Sequence, residues 1–154
     1  MASSKSRTLL LDVNTLVALA WPNHQFHRAV TARLHTNSAL RWATCALTQL
    51  GFVRLSSNPA VVEVRKTPHQ AVSVLAQLIA DPGHLYIDST PPLPDVERYF
   101  RPLLGHQQVT DAYLLALAIS NDAVLLTLDR RLVPPARARS HLEVIAPANS
   151  RSQP

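Results

Sequence analysis

Three aspartates define the chemistry open to this chain. Asp12 closes the apolar run 8–11, Asp111 follows Thr110 at the start of VTDAYLLALA, and Asp129 closes the apolar run 123–128. An acid just past a buried strand lies at the carboxyl edge of a sheet, where open α/β folds keep their sites. Carboxylates gathered there repel one another and shift their pKa values unless a cation sits among them, and hard oxygen donors suit Mg2+ or Mn2+. The natural use is metal-assisted hydrolysis of a phosphodiester, in which the ion lowers the pKa of a bound water and offsets charge on the phosphate oxygens. Taken singly, each acid also fits a helix cap or turn, the commoner fate of Asp, and Asp111 in a first turn fits it best. The joint placement favours the chemistry.

The elements that would position these acids alternate between strand and helix. In the stretch 105–132, Thr110 offers an N-cap to a helix whose Ala112, Leu114, Leu115, Leu117, Ala118 and Ile119 are apolar almost all round, which requires burial. Asn121 and Asp122 break that pattern before the central strand 123–128. Upstream, strand 8–11 leads into a helix opened by Asn14 and Thr15 and closed by Trp21 and Pro22; Phe26, Ala29, Val30 and Leu34 mark the next helix. A second strand is expected over 40–43. Thr48 then caps a helix with Gln49 in its first turn and Phe52, Val53 and Leu55 facing inward. Thr67, Pro68 and Gln70 form a capping box with Pro at the first helical position. Strand 85–87, a helix capped by Asp95 and running through Leu103, and an edge strand over 142–145 complete the series. The expected fold is α/β, a three-layer sandwich of a parallel sheet flanked by helices on both faces. Its single domain spans 8–146, with a flexible leader 1–7 and a flexible tail 147–154.

Composition narrows the function classes. With 154 residues, 47% hydrophobic and 16% charged, the chain suits one compact domain. No apolar run approaches the roughly 20 residues of a bilayer span, and MASSKSR lacks a signal peptide's apolar core, so a cytoplasmic protein without membrane contact is expected. The single cysteine, Cys45, can form neither an internal disulfide nor a zinc cluster, and reads as a small buried hydrophobe. The formal charge of +5 leaves a more basic surface still if three acids gather at one ion, which suits a polyanionic substrate. Arg130 and Arg131, just past Asp129, are the expected phosphate contacts.

Other chemistries fit poorly. There is no GxGxxG or GxxxxGK[ST] loop, no GxSxG elbow and no HExxH pair among the seven histidines. His24, His27 and His106 read better as packing or surface residues than as substrate contacts. LLLDVNT shares half the opening motif of an aspartyl-nucleophile phosphatase, but Asn14 replaces its second Asp and neither Lys5 nor Lys66 is a good candidate for its lysine.

In order along the chain, LLLDVNTLVALAWPNHQFH, WATCALTQLGFVRLSSNP, GHQQVTDAYLLALA and LLTLDRRL resemble the PIN-domain ribonuclease toxins of bacterial VapBC toxin and antitoxin pairs, across 9–145. The resemblance implies the sandwich fold, an Mg2+ or Mn2+ dependent endoribonuclease, and Asp12, Asp111 and Asp129 as catalytic metal ligands. It also implies Asn14 and Thr110 as polar neighbours of the site, a VapB-type antitoxin across the active-site groove, and a homodimer. One position departs from the pattern: where most of the family has a glutamate, this chain has Gln49, with none of Glu63, Glu97 or Glu143 nearby. A neutral amide can still lend a carbonyl oxygen to a metal or hold its water, yet it gives up one negative charge. Two readings follow, a metal-dependent toxin that cuts RNA and a weakened or silent PIN-like domain that binds RNA or a partner without cutting. The acid placement favours the first.

Overall fold

A strand with apolar side chains at every position needs cover on both faces, and β1 (Leu9–Leu11) receives it, with all three leucines at most 2% exposed. The computed structural model describes residues 7–61, 66–101 and 105–146. Within them β2 (Trp42–Cys45), β3 (His84–Ile87), β4 (Val124–Thr127) and β5 (Leu142–Val144) join β1 in a parallel sheet of order β3-β2-β1-β4-β5.

Side chains alternate across this sheet and feed two cores. Leu10, Ala43, Cys45 and Leu125 pack with Leu114, Leu115, Leu117 and Ala118 of α5 (Val109–Ser120). Leu9, Leu11, Trp42 and Leu126 pack the other way, against α1 (Val13–Ala20), α2 (His27–Leu34), α3 (Ala46–Ser56) and α4 (Pro68–Ile79), through Leu16, Val30, Phe52 and Leu75. A slip of one residue would exchange the two sets, and each leucine contributes about 1.5–3 kcal/mol by its burial. The expected sandwich is the fold observed, and the capping box at Thr67 and Gln70 is present with Pro68 opening α4.

Several local expectations are corrected. Helix α1 begins at Val13 with Asp12 as its N-cap, earlier than Asn14 and Thr15, because the acid accepts the Thr15 N–H. Strand β2 lies two residues later than 40–43, so Cys45 is the N-cap of α3 and Thr48 stands inside the helix, its hydroxyl accepting the Cys45 N–H. Thr110 is not the cap of α5: a 3₁₀ turn at His106–Gln108 runs straight into the helix, making Gln108 the N-cap and giving Thr110 helical backbone. The segment Leu93–Tyr99 is 3₁₀ with a kink at Val96, and Pro92 rather than Asp95 precedes its first residue. Leu103, residues 1–6 of the expected leader and the tail 147–154 lie outside the described residues.

Two close junctions hold the frame. Helix α5 ends in a Schellman motif, Ala123 N–H to the Ala118 carbonyl and Asp122 N–H to that of Ile119, which forces Asp122 to φ 50°. At the crossing of α1 and α3, a Cβ placed on Gly51 would come within 2.5 Å of a Val13 methyl. Among the described residues no helix is long and apolar enough to cross a membrane.

Candidate active site

Strand β1 is central, and its neighbours leave it in opposite directions, which opens a crevice at the carboxyl ends of β1 and β4. Asp12, the first residue past β1, is only 2% exposed there. Its Oδ1 accepts the Thr15 N–H at 2.7 Å, and its Oδ2 accepts the Thr127 hydroxyl at 2.5 Å. Thr15 in turn donates its hydroxyl to the Leu126 carbonyl at 3.0 Å, tying α1 to β4. The Thr127 oxygen also accepts the Asp129 N–H at 3.0 Å, so one hydroxyl links the two acid-bearing loops. Burial pushes the Asp12 carboxyl above its ordinary value, the bonds from Thr127 and Thr15 oppose the shift, and Asp129 adds repulsion. Of the three acids it is Asp12 that serves as a helix cap.

Because only three residues separate α5 from β4, the helix runs back along the sheet and brings Asp111, in its first turn, to the same edge. Its half-buried carboxyl is pushed up to about 7, chiefly by burial, then by Asp12 and Asp129, with Arg131 opposing. Asp129 goes the other way. Arg131 holds it low through Nε to Oδ1 at 3.1 Å, Nη2 to Oδ2 at 3.1 Å and the Arg131 N–H to Oδ1 at 2.9 Å. All three aspartates therefore feel one another's charge, and two are committed to donors while Asp111 accepts no hydrogen bond among the described residues.

The other expected site residues are spread around this edge. Asn14 is exposed and lines a cleft of about 530 Å³ with Trp21, His24, Leu55 and Lys66. Thr110 and Arg130 are exposed. Arg131 is forked on Asp129, with Nη1 also 3.4 Å from Gln107 Oε1. Gln49 is half-buried and donates Nε2 to Thr44 Oγ1 at 3.0 Å. His24 and His27 make the packing contacts expected of them, His24 Nδ1 accepting the Phe26 N–H and His27 Nδ1 lying 2.8 Å from the Ala18 carbonyl oxygen. The sequence reading missed Thr15, Thr44, His84 and Thr127. Thr127 carried a signal, being the one polar residue inside the apolar run LLTL, where an unpartnered hydroxyl would be costly.

Among the described residues, no three His, Cys, Asp or Glu side chains are arranged to enclose a metal ion as they stand. The donor set nonetheless suits a hard divalent cation. Asp111, without a donor and facing two further acids, is a concentration of negative charge that such an ion would relieve, and the carboxylates are oxygen ligands.

A family profile described as PIN domain matches residues 9–137. Ribonuclease VapC38 of Mycobacterium tuberculosis (strain ATCC 25618 / H37Rv) is 42% identical over 130 residues, 84% of this chain and 91% of the relative. Ribonuclease VapC39 of the same strain is 39% identical over 132 residues, 85% of this chain and 95% of the relative. Among solved structures the chain resembles VapBC2 from Rickettsia felis bound to a DNA fragment from their promoter, with a TM-score of 0.59 and 15% identity over 90% of this chain and 99% of that one.

Proposed function

The chain belongs to the PIN domain family, among relatives named Ribonuclease VapC, and from that premise we propose that it is a metal-dependent endoribonuclease, the toxin of a VapBC-type pair. The observation that carries the reading is Asp111, pushed up to about 7 by burial and by two neighbouring acids, with no donor of its own. A site built only for stability gains nothing from three carboxylates at one edge, whereas a site for a divalent cation needs them.

When bound, Mg2+ or Mn2+ supplies Lewis-acid activation of a water and stabilisation of charge on the phosphate oxygens. Asp12 would hold the ion from a fixed position, since Thr15 and Thr127 fix both its oxygens. Asp111, which faces the two other acids, would hold it too, giving up its proton to do so. Asp129 would complete the set of oxygen ligands. Arg131, which is forked on it here, and exposed Arg130 would offer cations to neighbouring phosphates. The net charge of +5 supports a polyanionic substrate.

A VapB-type antitoxin across the groove, a homodimer and a cytoplasmic location complete the reading. The partner is supported by the relatives named Ribonuclease VapC, at 39% and 42% identity. Cleavage of total RNA with Mg2+ or Mn2+ tests the activity, comparing the wild type with Asp12→Asn and Asp111→Asn. Substituted proteins that cut as well as the wild type would overturn it.

A second reading, RNA or partner binding without cleavage, is favoured by Gln49, which brings no charge to the edge, and by Asp129 forked by Arg131, which leaves Asp111 as the uncommitted acid. A Gln49→Glu variant that gains metal binding and cleavage together would support it; unchanged activity supports the active enzyme.

A further inference from the structure

A polar chain runs behind the acid edge and takes no part in the steps above. His84 on β3 has Nε2 2.8 Å from Thr44 Oγ1, and Gln49 donates Nε2 to the same oxygen at 3.0 Å. Thr44 is fully buried on β2, one step along from the paired Leu10 and Ala43 and so beside the residue before Asp12. Helix α3 starts directly after β2, which puts Gln49, at the end of its first turn, at the same carboxyl edge as Asp12.

A threonine hydroxyl has one proton to give and two lone pairs to offer, so the His84 tautomer biases the polarity of the chain. If it goes to a bare His84 Nε2, the oxygen can accept from Gln49, and the amide lies nitrogen inward with Oε1 outward. If His84 donates instead, the Thr44 proton is free to turn to Gln49 and draw Oε1 inward. The structure has the first arrangement, with the Gln49 nitrogen on Thr44. Burial holds the His84 ring below its ordinary protonation range, in keeping with an accepting nitrogen. The ring is also fixed: Trp42 meets it edge-on at 4.7 Å while donating its indole N–H to Asp81 at 2.9 Å. Gln49 is half-buried, and its Oε1 accepts no hydrogen bond among the described residues.

We propose that His84 is a positioning residue, acting through Thr44 to turn the Gln49 side chain so that its carbonyl oxygen, not its N–H, faces a divalent cation at the acid edge. This rests on the metal reading above. An inverted amide would aim two N–H groups at the ion and repel it. A carboxylate at this position has equivalent oxygens and would not need the same orienting contact.

The test is calorimetric titration of the full chain with Mn2+ alone. Thr44→Val and His84→Phe should each weaken binding by about tenfold, the usual scale for groups that orient a ligand. Gln49→Leu should match them, Thr44→Ser should restore the wild-type affinity, and the double variant Gln49→Leu/Thr44→Val should bind no worse than Gln49→Leu. In a Gln49→Glu background His84→Phe should have little effect. Wild-type affinity in Thr44→Val, or additive losses in the double variant, overturns the proposal. If Thr44→Val does not fold, His84→Phe decides, compared between the otherwise wild-type chain and the Gln49→Glu background. Gln49→Leu binding as tightly as the wild type also overturns it while leaving the acid reading intact; that reading fails separately if Asp111→Asn loses no affinity for Mn2+.

Discussion

The Thr127 hydroxyl donates to Asp12 Oδ2 across the gap between β4 and β1, and with the Thr15 N–H it opposes the burial that raises this nearly inaccessible carboxyl. Its removal leaves a buried carboxyl short of a donor. Thr127→Val should cost about 1–3 kcal/mol, the range for a buried polar group left without its partner, and Thr127→Ser much less. Without the donor, the folded-state pKa of Asp12, already raised, rises further, so the loss should shrink as the pH falls and the carboxyl becomes protonated. Urea denaturation at two pH values checks both points.

Asp111 gives the ion-free protein a pH dependence of definite sign. Its folded pKa of about 7 lies above the ordinary 3.8, so between these values the native chain keeps a proton that the unfolded chain loses. That contribution to stability is full below about pH 4, declines as the pH rises, and is gone above about 7. Asp111→Asn should therefore be more stable than the wild type at pH 8, with the difference vanishing near pH 4. Thermal melts with a chelator present read the effect, and Mn2+ should restore the wild type.

Arg131 competes with a cation for Asp129. Replacing it with alanine frees both carboxylate oxygens and removes a positive charge, so Mn2+ affinity should rise severalfold by calorimetry. On the proposed function the same change also removes a cation available to the RNA backbone, so RNA binding should weaken and depend less on salt. Opposite movements of the two affinities are the expected result; a parallel loss would show that the fork aligns Asp129 for the ion instead.

At Asp122 the backbone takes a left-handed conformation that glycine adopts without strain. Asp122→Gly should raise stability by about 0.5–1 kcal/mol, because the ion pair it forfeits, to Arg7 at 3.8 Å, is exposed and weak. A gain in melting temperature without a change in RNA cleavage is the expected outcome.

The sheet and its two coats of helices could be read from the chain because all-apolar strands and the box at Thr67 are local signals. The three aspartates could be placed at one edge for the same reason: each adjoins an element whose direction the alternation dictates. What could not be read was pairing between distant residues. Arg131 two positions past Asp129 looks identical in sequence whether it stands free or folds back on the acid, and the geometry of a tight turn folds it back. Thr44 and His84 are 40 residues apart and meet only because β2 and β3 pair. The start of α5 was misplaced because the 3₁₀ turn before it has no side-chain cap to announce it.

The innermost strand of the sheet is also its shortest connection to the acids, since Asp12 follows Leu11 with no loop between. Exchange of the amide protons at residues 9–12 with solvent should therefore need opening of the whole molecule and proceed at the rate of global unfolding. Divergent copies of this scaffold could not shift that carboxylate without dismantling the fold, so a change of RNA target would have to come from the rim, at positions such as Asn14 and Arg130 that bear none of the weight.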